Sequence, residues 1–143
     1  MASQKEMQEK LVSVMKKWQD IEDQSVKSTT EIAKMTDNPI VKQIMDIIRQ
    51  DSAMHRKVQQ LIIDSLEKQA FSLQPEELAE IWGEVEKHIE LEKETIRMAE
   101  EARKNSNQLL HRYLLGYLLL DEQKHNHILA QMEDMKRGIY PYA

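Results

Sequence analysis

The chain overlays on itself at a shift of seventy residues without a gap, so any fold proposed for the first half has to suit the second as well. Ile21-Glu22-Asp23-Gln24-Ser25-Val26 lies over Leu91-Glu92-Lys93-Glu94-Thr95-Ile96. Further along, Glu31 falls on Glu101, Lys34 on Lys104, Ile44 on Leu114, Ile48 on Leu118, Asp51 on Asp121, His55 on His125 and Val58 on Ile128. Apolar character is kept more than identity, as a shared packing scheme requires.

Within each half the apolar residues recur at helical spacing in two stretches. Met7, Leu11, Met15, Trp18, Val26, Ile32 and Ala33 form the first stripe. Thr36-Asp37-Asn38-Pro39 interrupts it, because Asp or Asn caps a helix and Pro suits its first turn. Ile44, Ile48, Val58, Ile62 and Leu66 form the second, up to Phe71-Ser72-Leu73-Gln74-Pro75. The third carries Leu78, Ile81, Val85, Ile89, Ile96 and Ala99 and breaks at Asn105-Ser106-Asn107. The fourth runs through Leu110, Leu114, Tyr117, Leu118, Ile128, Met132 and Met135, stopped by Gly138 and Pro141. With only 3 Gly, 3 Pro, 2 Trp, 4 Tyr and 1 Phe there is little material for strands and turns. The expected fold is therefore all-α: one domain over residues 1–143, a hairpin over 4–70, a second over 75–137 and a short tail over 138–143.

Zero cysteines exclude disulfides, thiolate metal sites and cysteine nucleophiles, so any metal has to use His and carboxylate. The net charge of −5 and the lack of a basic cluster argue against nucleic acid as a partner. No run of about 18 apolar residues is present and the first residues carry no apolar segment, so neither membrane span nor signal peptide is expected. A soluble cytoplasmic protein is the expectation.

Extending each stripe by three- and four-residue steps finds polar side chains on the apolar faces. Glu22 follows Leu11, Met15 and Trp18, and Glu92 follows Val85 and either His88 or Ile89. Asp51 and His55 lie among Ile44, Ile48, Val58 and Ile62, while Asp121 or Glu122, with His125, lies among Leu114, Leu118, Ile128 and Met132. An ionised carboxylate in a dry core costs several kcal/mol unless it is paired or binds a cation. Four such groups near the middle of four stripes have one simple common explanation, a buried cation pair.

Glu122-Gln123-Lys124-His125 is Glu-x-x-His, which sets a carboxylate and an imidazole on one helical face. With the carboxylates of the other stripes, this resembles the ferritin-like superfamily on its rubrerythrin side, over about Trp18 to Met132. The resemblance implies a ferritin-like four-helix bundle of two repeated hairpins. It implies Glu22 and Glu92 as the carboxylates of the first and third helices, Glu122 with His125 as the last pair, and His55 as the second-helix imidazole. It also implies two iron ions, with Mn or Zn as alternatives, and reaction with dioxygen or peroxide in iron oxidation or oxidative-stress handling. Without cysteines there is no rubredoxin-like electron-transfer domain, so a reductant would come from a separate electron donor.

The chain departs from that pattern at Ser52, which stands where the repeat matches Glu122. Asp51, four residues before His55, is the candidate substitute ligand, and His88 is another candidate although a partly exposed histidine is its ordinary reading. Tyr113, Tyr117, Trp18 and Trp82 are read as core, and His111 and His127 as surface. The competing function is a degenerate ferritin-like scaffold acting as a metal-independent interaction or stress protein, and a plain helical adaptor is a third. About Ala70 to Gln74 is too short for a return connection along a bundle, so either the helices are up-down neighbours or the hairpins are exchanged in a homodimer.

Overall fold

The computed structural model describes residues 1–138. Most of the expected tail, and the expected stop at Pro141, lie outside the described residues. Among the described residues there are four helices and no strand: α1 (Gln4–Lys34), α2 (Pro39–Glu67), α3 (Pro75–Lys104) and α4 (Leu109–Lys136). They hold 31, 29, 30 and 28 residues. The ends of α1 and α3 fall seventy residues apart, as do the starts of α2 and α4.

The boundaries have local causes. Ser3 and Glu6 form a capping box that satisfies two free amides at the start of α1. Asn38 Oδ1 accepts from the amides of Ile40 and Val41, and Pro39 follows in the first turn of α2. Gln74 and Glu77 cap α3 reciprocally, again with Pro in the first turn. Gln108, before α4, makes no side-chain cap, and Gly138 ends the described chain at φ +76°, which glycine adopts without the Cβ penalty.

The chain divides into two compact units, Met1–Phe71 and the remainder from Ser72. In the first, α1 and α2 form an antiparallel hairpin over a small core of Val12, Met15 and Ile63, flanked by Ile62 and Leu66. Polar groups fill the rest of this seam: Gln19, Glu22, Thr29, Ser52 and Gln59 are all buried. Gln19 Nε2 donates to the Arg56 carbonyl (3.2 Å) and to Gln60 Oε1 (3.0 Å), while Arg56 Nε reaches Asp23 Oδ1 at 2.9 Å.

In the second unit α3 packs on α4, burying Leu78, Trp82, Leu119 and Glu92. The Lys136 ammonium sits over the Trp82 ring, 4.8 Å from its centroid. Arg112 donates to the carbonyls of Arg103 (2.7 Å) and Ser106 (3.1 Å), closing the α3–α4 turn.

The buried strips are narrower than the apolar stripes, and turned from them. In α1, Val12, Met15, Gln19 and Glu22 face α2, while Leu11 and Trp18 of the expected stripe are exposed. In α2 the buried positions are Ser52, Gln59 and Ile63, and Ile48, Asp51, His55 and Val58 are exposed. Ile81, Leu110, Leu118 and Ile128 are exposed in the second hairpin, with Leu119 buried instead. One helix covers only one strip of its neighbour, and each residue turns by about 100°, so a shift of one position exchanges inside for outside. No helix among the described residues is long and apolar enough to cross a membrane.

Candidate metal centre

The second hairpin gathers three predicted residues at one level. Ligand atoms of Glu92 on α3 and of Glu122 and His125 on α4 lie within 4.8 Å of one another. His125 Nδ1 is 3.6 Å from Glu92 Oε1 and 3.7 Å from Glu122 Oε2. Two ligand atoms held about 2.0–2.1 Å from one shared tetrahedral ion would be separated by about 3.3 Å, so only small side-chain movements divide this cluster from a coordination sphere.

Two groups set the orientation of the cluster. Asp121 Oδ2 lies 3.4 Å from His125 Nε2, the nitrogen that faces away from the glutamates. A carboxylate beside the far nitrogen favours the proton on that side and leaves the Nδ1 lone pair toward the cluster. Asp121 is itself held by Lys124 Nζ at 2.8 Å. On α3, the Thr95 hydroxyl lies 2.8 Å from the Glu92 carbonyl and 3.2 Å from Glu122 Oε2, tying the two helices together beside the site.

Glu92 is 93% buried by its 7% exposure, and its Oε2 has no hydrogen-bond donor. The other oxygen, Oε1, meets His88 Nε2 at 2.9 Å. The hydrogen bond with Glu122, and then those with His88 and the charge of His125, hold the Glu92 carboxyl below its ordinary range against the opposing effect of burial. Glu122 is pushed up, first by its hydrogen bond to Glu92 and then by burial. Of the two carboxyls, Glu122 is the one that takes up a proton more readily. A buried carboxylate oxygen with no donor asks for positive charge, and a proton on the neighbouring carboxyl or a cation between the two answers that need. The donor set of two carboxylates and one imidazole fits a divalent transition-metal ion with an open position.

The first hairpin presents a reduced version. Glu22 is buried, with His55 Nδ1 3.3 Å from its Oε1. At the positions equivalent to Thr95 and Glu122, Ser25 and Ser52 bond to each other at 2.8 Å, so their hydroxyls satisfy one another. Asp51 is exposed, and among the described residues no hydrogen bond or ion pair joins it to His55 or Glu22. The structure thus brings Glu92, Glu122 and His125 together and pairs Glu22 with His55. It leaves Asp51 apart from both groups. His88 reaches Glu92 because it lies one helical turn before it, and its place on the third stripe was the signal for that contact.

No family model, no curated protein and no solved structure matches this chain.

Proposed function

We propose that this protein is a ferritin-like divalent-metal-binding protein whose principal ligands are Glu92, Glu122 and His125. The observation that carries the reading is the donorless, buried Oε2 of Glu92 beside a second carboxyl and an imidazole. Two carboxyls held this close repel each other when both are ionised, and a cation between them removes that repulsion. Glu22 and His55 are assigned to a second position, weakened by Ser52, with Asp51 as the candidate substitute ligand.

The proposed ion is iron, with Mn or Zn as alternatives, and the small-molecule partner is dioxygen or peroxide. Bound there, iron would supply Lewis acidity and a redox couple to such an oxidant. The residues of the chain hold charge and direction: Glu92 and Glu122 offset the charge of the ion, Asp121 orients His125, and the buried seam around Glu92 keeps water from its inner oxygen. An electron donor would be a separate protein.

Segment 68–74 between α2 and α3 spans under about 30 Å when extended, against about 45 Å for a helix of this length. A return connection along a four-helix bundle is out of its reach, which leaves up-down neighbours or exchanged hairpins, and of these the proposal takes a homodimer with exchanged hairpins. The exposed Leu11, Trp18, Ile48, Val58, Leu118 and Ile128 are apolar surface that such pairing would cover.

Metal analysis before and after anaerobic Fe(II) loading, followed by an absorption spectrum on admitting air, tests the reading. Stoichiometric iron with a near-ultraviolet charge-transfer band is expected, and no stoichiometric metal under either condition overturns it. The Ser25–Ser52 bond favours one alternative, a scaffold that has lost its metal and works through its surface. Thermal stability separates the two, since only a metal-binding native state is stabilised by added Fe(II).

A further inference from the structure

We infer that the cleft beside the α3–α4 turn binds an amphiphilic monocarboxylate, in its simplest form a medium-chain fatty acid, with the carboxylate on Arg103 and the chain over Leu119 and Leu120. The cleft is separate from the candidate metal cluster, because Gly116, Leu120 and Gln123 lie about 140–180° around α4 from His125.

The two hairpins, compared at the offset of seventy residues, close their turns alike and then differ. Lys42 Nζ donates to the Ala33 carbonyl at 2.9 Å in the first, and Arg112 Nη1 donates to the equivalent carbonyl, that of Arg103, at 2.7 Å in the second. In the first hairpin Asp46 accepts from Arg49 and, at 2.8 Å, from Gln50 Nε2, so acid, base and amide satisfy one another along α2. The equivalent positions of α4 are Gly116, Leu119 and Leu120. The carboxylate has become a gap and its two partners have become apolar side chains. A guanidinium from the other helix stands at that gap, since a Cβ on Gly116 would lie 4.0 Å from Arg103 Cζ.

The result is a cleft of about 600 Å³, inside the range of roughly 300–1,000 Å³ common to small-molecule sites. Tyr113, Leu119 and Leu120 give it apolar walls, and the charged side chains that line it, Arg103 and Arg112, have one sign. Glu100 borders a neighbouring hollow with both arginines, yet among the described residues no carboxylate lies within ion-pair distance of either. A guanidinium fork takes a carboxylate through two parallel hydrogen bonds. Where Asp46 supplies that group in the first hairpin, Gly116 offers none, and the carboxylate of a ligand takes its place. An apolar chain attached to it covers Leu120, which is 69% exposed.

The test is calorimetric titration of the intact protein with decanoate below its micelle concentration, beside decanol as the chain without the charge and acetate as the charge without the chain. Saturable binding of one decanoate per chain is expected, with both controls weaker by about tenfold or more, the factor that a hydrogen bond to a charged group supplies. Arg103→Gln, a change at an exposed side chain, should weaken decanoate by about tenfold or more, and Gly116→Asp, which restores the carboxylate of the first hairpin, should do the same by occupying the guanidinium. Arg137→Gln, at the far end of α4, is the control for charge alone and should leave the affinity unchanged. No saturable decanoate binding, decanol bound as tightly as decanoate, or either cleft variant within about threefold of the parent would each overturn the inference. Circular dichroism separates a filled cleft from a misfolded chain, and if Gly116→Asp misfolds, Arg103→Gln decides. All of these outcomes are read on metal-free protein, so none of them bears on the metal reading.

Discussion

The two hairpins share helix boundaries at a fixed offset yet fill their seams differently. The first places Gln19, Ser52 and Gln59 between its helices, and the second has Ile89, Glu122 and Leu129 at the same positions. In the first, polar groups satisfy one another: Gln19 reaches Arg56 and Gln60, and Ser25 bonds Ser52. In the second, the Glu92 carboxyl is held down and the Glu122 carboxyl pushed up by their contact, with His88 and His125 each beside Glu92. Hydroxyls and amides can pair among themselves at a net gain of about 1 kcal/mol each, but a buried carboxylate set against a second, half-buried one calls for positive charge nearby. The same backbone thus carries a structural seam in one half and a candidate binding seam in the other.

The strongest way to break that contrast is to remove the buried carboxylate from each half. Glu92→Ala is expected to lower metal affinity by more than about 100-fold, beyond what loss of an orienting partner would do, while Glu22→Ala leaves it within about tenfold. Equal losses in both variants, read by Zn(II) competition, would show that the halves contribute alike.

Rebuilding the missing ligand sharpens the comparison from the other side. Ser52→Glu adds a carboxyl beside Glu22 and His55 and breaks the Ser25 bond, so the metal-free variant should lose about 1–3 kcal/mol in denaturant unfolding. It should also bind a second equivalent of metal and regain stability in its presence. Metal stoichiometry unchanged from the parent would mean that the first hairpin lacks more than this one group.

A smaller effect is expected where Gln59 sits buried with its Oε1 unpartnered, at the position of Leu129. Gln59→Leu should stabilise the protein by about 1 kcal/mol, because it removes an acceptor buried without a donor and adds apolar surface to the seam. Destabilisation on chemical unfolding would indicate that this amide has a role in the first hairpin beyond packing.

The mildest expected effect is a pH dependence confined to the second half. Glu122 is raised above its unfolded value, so its contribution is present below the ordinary glutamate range and is lost as pH rises through its raised value. Glu92 is lowered, so its contribution is present above the ordinary glutamate range and is lost as pH falls through its lowered value. Metal-free protein should therefore lose stability just above the ordinary glutamate range, and Glu122→Gln should abolish that loss. A pH profile of unfolding identical in the parent and the variant would show that Glu122 does not carry this dependence.

Much of the helical framework was legible in the chain. Asn38-Pro39 and Pro75-Glu76-Glu77 mark helix starts because a capping oxygen and a preset φ act locally, without tertiary help. Glu-x-x-His at 122–125 was legible for the same reason: residues three apart share a face in any helix. The choice between Asp51 and Ser52 as the inward residue of α2 was not, nor was the exposure of Trp18 and Tyr113, both expected in the core, whereas Trp82 is buried as expected. Apolar stripes in this sequence are broad, and several rotations of each helix satisfy them equally well.

Sequence by itself determined where the four helices begin and end and which acidic and imidazole side chains ride near their apolar faces, since capping and the 3.6-residue turn are properties of the local chain. Tertiary structure decided which strip of each face is covered, because burial depends on the neighbouring helix. That choice puts Ser52 inside with Ser25, brings Glu92 against Glu122 and His125 across the α3–α4 seam, and leaves one oxygen of Glu92 buried without a donor. No periodicity can specify such a contact, for it joins residues about thirty positions apart through the packing of two helices.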